Sequence, residues 1–209
     1  MWQRSAAPEA AQRSSAVILE EIDRLDTIIS RLLYFARPIQ LQLRPVSLDD
    51  LCAVTASAWA DKEADKGLQV MCKATSYVVV TADRARLLQV LDNLMENAVH
   101  SASQSTAVGG SVTISTTLDA DFARIDIMDD GRGFTPTALR HAIDPFYTTK
   151  DTGTGLGLSI SFEIVQAHGG ELLLANREGG GAVASLRLPL TRDDRDTLLQ
   201  VDKEEGHDA

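Results

Sequence analysis

The chain has 209 residues, 44% of them hydrophobic, and its 20 Lys and Arg against 30 Asp and Glu leave a formal charge of −10. There is room for one well-cored domain and an appendage, and the negative balance repels nucleic acid and anionic lipid, which argues against a nucleic-acid-binding role. No apolar run of about 18 residues is present to span a membrane, and Met1 to Ala10 lacks the apolar core of a signal peptide, so a cytoplasmic chain is expected, from a parent protein that can be membrane-anchored upstream.

From about Ser14 to Arg37, Ile18, Ile22, Leu25, Ile29, Leu32 and Ala36 are spaced four, three, four, three and four. This heptad seam predicts a helix built to meet another helix, ended by Pro38. Gln40 to Val46 alternates as an edge strand. Ser47 then caps a helix to about Ala64, closed by the turn at Asp65-Lys66-Gly67. Leu68 to Lys73 and Tyr77 to Thr81 are expected to pair as strands. Asp83 caps a long helix over about Arg84 to Ala102, with Leu87, Val90, Leu91, Leu94 and Ala98 as its buried stripe. Ser111 to Leu118 and Phe122 to Met128 alternate around a turn at Asp119 to Asp121. A loop region reaches to about Thr154, a helix covers Leu156 to His168, and Glu171 to Asn176 with Ala182 to Leu188 makes a last hairpin. Cys52 and Cys72 carry neither zinc-ligand nor disulfide spacing, and two packed, reduced thiols are expected. The acidic tail from Arg192 to Ala209 reads as disordered. The fold class is α/β: a two-layer sandwich of a mixed sheet with three helices on one face, preceded by a long coiled-coil-type helix.

Three motifs carry chemistry. Asn93, Asn97 and His100 recur at four and three residues and so share one face of the long helix, where an amide oxygen is a hard, neutral ligand suited to Mg²⁺. Asp129 follows a strand and stands at the mouth of a pocket, with Gly131 and Gly133 allowing close backbone approach to a base. Gly153-Thr154-Gly155-Leu156-Gly157 supplies backbone amides at a helix start, where the dipole favours phosphate. Taken singly, these are equally well solvated asparagines, an Asp-Gly turn and an ordinary glycine loop. Taken together and in this order, they point to a magnesium nucleotide.

The set resembles the ATP-binding domain of sensor histidine kinases, whose fold is of the Bergerat type. The resemblance implies ATP and Mg²⁺ as cofactors, Asn97 as metal ligand and Asp129 as the reader of adenine. It also implies that Asp144-Pro145-Phe146-Tyr147-Thr148-Thr149-Lys150 forms a plug and lid base, with Phe146 packed and Thr148, Thr149 and Lys150 donating towards phosphate. His100 lies where many members carry a phosphate-reaching lysine. Asn93 stands where gyrase-like relatives place the glutamate that activates water, and an amide cannot act as that base, which favours a kinase over a hydrolase. His168 reads as a helix cap.

The segment from Glu20 to Pro38 is similar to the second helix of the dimerisation and phosphoacceptor hairpin of nitrogen-regulation-type sensor kinases. The first helix, with its phosphoacceptor histidine, is not seen, since Met1 to Arg13 contains no histidine; a truncated chain is expected, with a natural protein acting in trans as the alternative. The expected organisation is a partial dimerisation helix over 1–38, a catalytic ATP-binding domain over 39–191 and the tail over 192–209. Implied partners are a response regulator receiver domain and a second copy of the chain through the N-terminal helix. A Ser/Thr kinase of the anti-sigma type and a nucleotide-sensing scaffold are the rival readings.

Overall fold

The chain divides into two compact units, Met1–Pro38 and Ile39–Ala209. The computed structural model describes residues 39–191 except 65–66, 74–77, 105–108, 120 and 151–152, together with Asp194. The heptad helix, most of the acidic tail and the residues of the 65–66 turn lie outside the described residues.

The second unit is the mixed two-layer sandwich. Strands β2 (Gln69–Lys73), β4 (Ser111–Leu118), β5 (Phe122–Asp129), β7 (Ala182–Pro189) and β6 (Glu171–Asn176) form a five-stranded sheet in the order β2-β4-β5-β7-β6. Only the β2 to β4 pairing is parallel. Helices α1 (Leu48–Glu63), α2 (Arg84–Ser103) and α4 (Gly157–Ala167) cover one face. Period-two alternation sends Val112, Ile114, Ala123, Ile125, Ile127, Leu186 and Leu188 into the core between the layers. The opposite face carries Arg124 paired with Asp126 at 2.9 Å and Arg187 paired with Glu171 at 2.7 Å.

Helix α2 is the spine. Its N-cap, Asp83, accepts from the backbone N–H groups of Ala85 and Arg86. Leu87, Val90, Leu91, Leu94, Met95, Ala98, Val99 and Ala102 make one continuous buried stripe, and each buried Leu contributes about 1.5–3 kcal/mol of transfer free energy. Helix α1 starts as expected, with the Ser47 hydroxyl accepting from Asp50 N–H. On the same first turn, Asp49 receives the Thr116 hydroxyl and the Val78 N–H, tying helix to sheet.

Five expectations are corrected. The strands around Leu68 and Tyr77 do not pair with each other: β2 joins β4, whereas β3 (Val79–Ala82) runs antiparallel to β1 (Arg44–Ser47) in a separate two-stranded sheet. The first strand begins at Arg44 rather than Gln40, and Pro45 is accommodated because β1 has β3 as its one neighbour. The supposed loop before Thr154 contains a short helix, α3 (Pro136–His141), capped by Thr135 and with Pro136 in its first turn. Cys52 is buried, but Cys72, on the edge strand β2, is exposed. Asp194, assigned to the disordered tail, is buried and accepts from the Thr81 hydroxyl and the Thr191 N–H, each at 2.8 Å.

Candidate nucleotide-binding site

Three α2 residues spaced by four tie the helix to three different segments. Asn93 donates through Nδ2 to the Gly157 carbonyl and to Ser161 Oγ, both at 3.2 Å, and so reaches the first turn of α4. One turn on, Asn97 Oδ1 accepts from Lys150 Nζ at 2.7 Å. A further turn on, Ser101 Oγ donates to Asp129 Oδ1 at 3.0 Å, at the end of β5. At 1.5 Å per residue these stations are about 6 Å apart and about 12 Å from first to last, a span that suits an extended nucleotide. The sequence reading included Asn93 and Asn97 but missed Ser101, although its position four residues beyond Asn97 was the available signal.

At the β5 end, Asp129 is buried, and its Oδ1 also accepts from Gly131 N–H at 2.9 Å. Burial pushes its carboxyl above the ordinary aspartate value, opposed by hydrogen bonds from Gly131, Ser101 and Ala182. Asp130 is turned away, accepting from Ser111 N–H and Oγ at 2.8 and 2.9 Å. Gly131 is required by contact: a Cβ there would lie 2.6 Å from the Ser101 main-chain carbonyl carbon, which cannot move aside.

The lid departs from its expected packing. Phe146 is 56% exposed rather than buried as a plug. Its backbone is left-handed, φ 68°, with its N–H donating to the Gly155 carbonyl at 2.9 Å, and this geometry sets the direction of the side chain. Thr148 and Thr149 are exposed. Thr148 Oγ1 accepts from Lys150 N–H at 3.0 Å, and Gly153 N–H donates to the Lys150 carbonyl at 3.2 Å, so the lid base turns tightly on itself. Lys150 is brought onto Asn97, where burial lowers its pKa against the opposing charge of Glu96. His100 is held below its usual value by partial burial and then by the charges of Lys150 and Arg132; its Nε2 lies 2.9 Å from Gln104 Nε2 and accepts from it.

Thr154, Gly155 and the fully buried Leu156 lead into α4, which opens at Gly157 without a side-chain cap and leaves first-turn N–H groups for an anion. Among the described residues, no three His, Cys, Asp or Glu side chains gather where they could hold a metal ion. Beyond Ser101, sequence reading also missed Asn176 and Arg177, whose contacts with the loop after Asp129 join segments more than forty residues apart.

Residues 82–192 match the family of histidine kinase-, DNA gyrase B-, and HSP90-like ATPases. The chain belongs to that family. Among its relatives, sensor histidine kinase ZraS of Salmonella typhimurium is 33% identical over 192 residues, covering 90% of this chain and 40% of the relative. Signal transduction histidine-protein kinase AtoS of Escherichia coli is 34% identical over 189 residues, covering 90% of this chain and 30% of the relative. The chain thus spans about two fifths or less of these relatives. Full-length ShkA, solved in complex with AMPPNP, superimposes with a TM-score of 0.73 at 28% identity, covering 91% of this chain and 40% of that one. Histidine kinase ThkA, solved with the response regulator protein TrrA, also reaches 0.73, at 26% identity and covering 90% and 53%. The domain from Ile39 onward is therefore a nucleotide-binding catalytic domain of the sensor-histidine-kinase type. No described helix is long and apolar enough to cross a membrane.

Proposed function

We propose that this domain binds Mg-ATP and transfers its γ-phosphoryl group to a histidine that is not among the four in the chain, for relay to a response regulator. The observation that carries the reading is the line Asn93, Asn97, Ser101 along α2, which joins the α4 start, the lid lysine and the Asp129 carboxylate at spacings suited to triphosphate, metal and base. In this reading Asp129 accepts from the adenine amine, and Gly131 and Gly133 leave room for the ring. Phe146, Thr148, Thr149 and Lys150 form the lid over the phosphates, with Gly153, Thr154, Gly155, Leu156 and Gly157 as their amide cradle.

Asn97 holds the metal. Its Oδ1 already accepts a cation, the Lys150 ammonium, and a neutral amide oxygen is the kind of hard ligand Mg²⁺ takes beside phosphate oxygens. Bound Mg²⁺ would neutralise charge developing on the transferring group. His100, with its pKa lowered by partial burial, is a weaker and pH-dependent substitute for the lysine of other members. The side chain of Asn93 is committed to Gly157 and Ser161 and is no base, so water is not activated there. Catalysis then rests on positioning and electrostatics. The seam from Ser14 to Arg37 supplies one helix of a dimerisation hairpin in the whole protein.

The test is phosphotransfer from γ-labelled ATP to a separately supplied helical hairpin bearing a histidine followed by an acidic residue. The expected product is an acid-labile, base-stable label on the hairpin and none on the chain itself. Labelling of His100, His141, His168 or His207, or rapid ATP turnover by the chain alone, would overturn the reading.

A further inference from the structure

The loop from Asp130 to Phe134 lies between β5 and α3; Asp130 and Gly131 tie its start to Ser111 and Asp129, but little within the stretch from Arg132 to Phe134 fixes its shape. The β6–β7 hairpin does so from outside. Asn176, the last residue of β6, accepts from Phe134 N–H through Oδ1 at 2.7 Å and donates from Nδ2 to the Phe134 carbonyl at 2.9 Å. One side chain thereby satisfies both backbone groups of Phe134, as a neighbouring strand would. Gly133 makes this possible: with φ 70° and no side chain it lets the amide in, whereas a Cβ there would stand 2.7 Å from Asn176 Oδ1. The next residue, Arg177, donates from Nη1 to the Asp129 main-chain carbonyl at 2.8 Å. The far end of the loop and the strand residue that precedes it are thus gripped by consecutive residues at the end of β6.

We infer that Asn176 is a positioning residue for nucleotide recognition: it holds the loop after Asp129 in the shape that reads adenine. The inference rests on the nucleotide reading above. A hydrogen-bond acceptor discriminates between bases only when it is held where the correct base presents its donor, and without the clamp the glycines would let the loop sample other shapes. Asn176 is itself exposed, so its replacement leaves the core intact.

Inosine diphosphate carries a carbonyl where ADP carries the adenine amine, so the ratio of ADP to IDP affinity, measured by calorimetry, isolates base reading from phosphate binding. The wild-type protein should favour ADP by 10-fold or more, on the order of one charged hydrogen bond. Asn176→Ala should lower that ratio by about 10-fold, the equivalent of one to two neutral hydrogen bonds. It should also add little to the loss in Asp129→Ala. Asn176→Asp should behave like Asn176→Ala, because its second oxygen would face the Phe134 carbonyl. An unchanged ADP to IDP ratio in both Asn176 variants, even with a lowered Tm, would reduce the residue to a structural role and overturn the inference. A wild-type protein that binds ADP and IDP alike would remove the adenine reading and the inference together, which separates the two failures.

Discussion

The Lys150 ammonium lies 2.7 Å from the side-chain oxygen of Asn97, so the proposed metal ligand is occupied by a cation from the protein's own lid. A partly desolvated, charge-assisted bond of this kind holds the segment around Lys150 against α2. Lys150→Met should therefore speed amide exchange from Thr148 to Lys150 without nucleotide, and the difference from wild type should shrink once Mg-ADP is bound. Identical exchange in the free proteins would show that the contact does not restrain the lid.

Asp129 gives a pH signature. Its folded pKa is raised, so as pH falls the side chain takes up its proton earlier than an ordinary aspartate. Only the carboxylate can accept from the adenine amine without rearrangement. ADP affinity should thus decline on acidification from a pH above the usual aspartate range, and Asp129→Asn should flatten that decline. Because a raised carboxyl pKa makes the charged form a cost to the fold above that pKa, Asp129→Asn should not lower Tm at neutral pH. Asp129→Ala should weaken ADP about 10- to 150-fold, from about 1.5–3 kcal/mol for a charged hydrogen bond. Titration calorimetry across pH checks the affinities, and scanning calorimetry at neutral pH checks the Tm.

Metal dependence should follow Asn97. Asn97→Ala is expected to weaken Mg-ATP much more than metal-free ATP or adenosine, since it removes the proposed metal ligand and leaves the base pocket intact. Titrations with and without Mg²⁺ decide the matter. Equal losses for all three ligands would mark the asparagine as structural.

His168 joins two helix ends. Its Nδ1 donates to the Ile164 carbonyl at 2.8 Å and its Nε2 accepts from the Asp83 N–H at 3.0 Å, so the neutral Nδ1–H tautomer is the one the contacts require. Asp83 in turn caps α2 and receives Gln42 N–H at 2.9 Å. His168→Ala leaves a buried N–H without its acceptor and should cost about 1–3 kcal/mol in urea unfolding. Asp83→Ala keeps that N–H and should therefore leave the cost of His168→Ala unchanged, although it removes the α2 cap. An unchanged urea midpoint in His168→Ala would mean that the contact carries no energy.

Local signals in the sequence were sound where one element decided the outcome. Asp83 and Ser47 marked helix starts by their capping chemistry, alternation located β4 and β5, and the glycine turn located the β6–β7 hairpin. Pairing was less legible: the residue types of β2 and β3 mark them as strands but not which strand lies alongside, and the two went to different sheets. The Thr135-Pro136 start of α3 was visible and overlooked. Phe146 could not be read correctly from its residue type, because a backbone bond to Gly155 and a left-handed φ set its exposure. Ser101 was within reach of the same four-residue spacing that revealed Asn93 and Asn97. Asn176 was not, since its partner Phe134 is 42 residues away and no local pattern links them.

The three stations on α2 also make that helix a ruler. Their separations belong to one hydrogen-bonded rod from Arg84 to Ser103, so lid movement can change what covers a bound molecule but not the distances along it. Inserting a single residue between Asn93 and Ser101 would turn the stations on either side by about 100° and shift them by about 1.5 Å, scattering them around the helix. Four inserted residues would come close to restoring the bearing while lengthening the span by about 6 Å. Surface loops of this domain can therefore vary in length without altering the span it measures, but the stretch from Asn93 to Ser101 cannot.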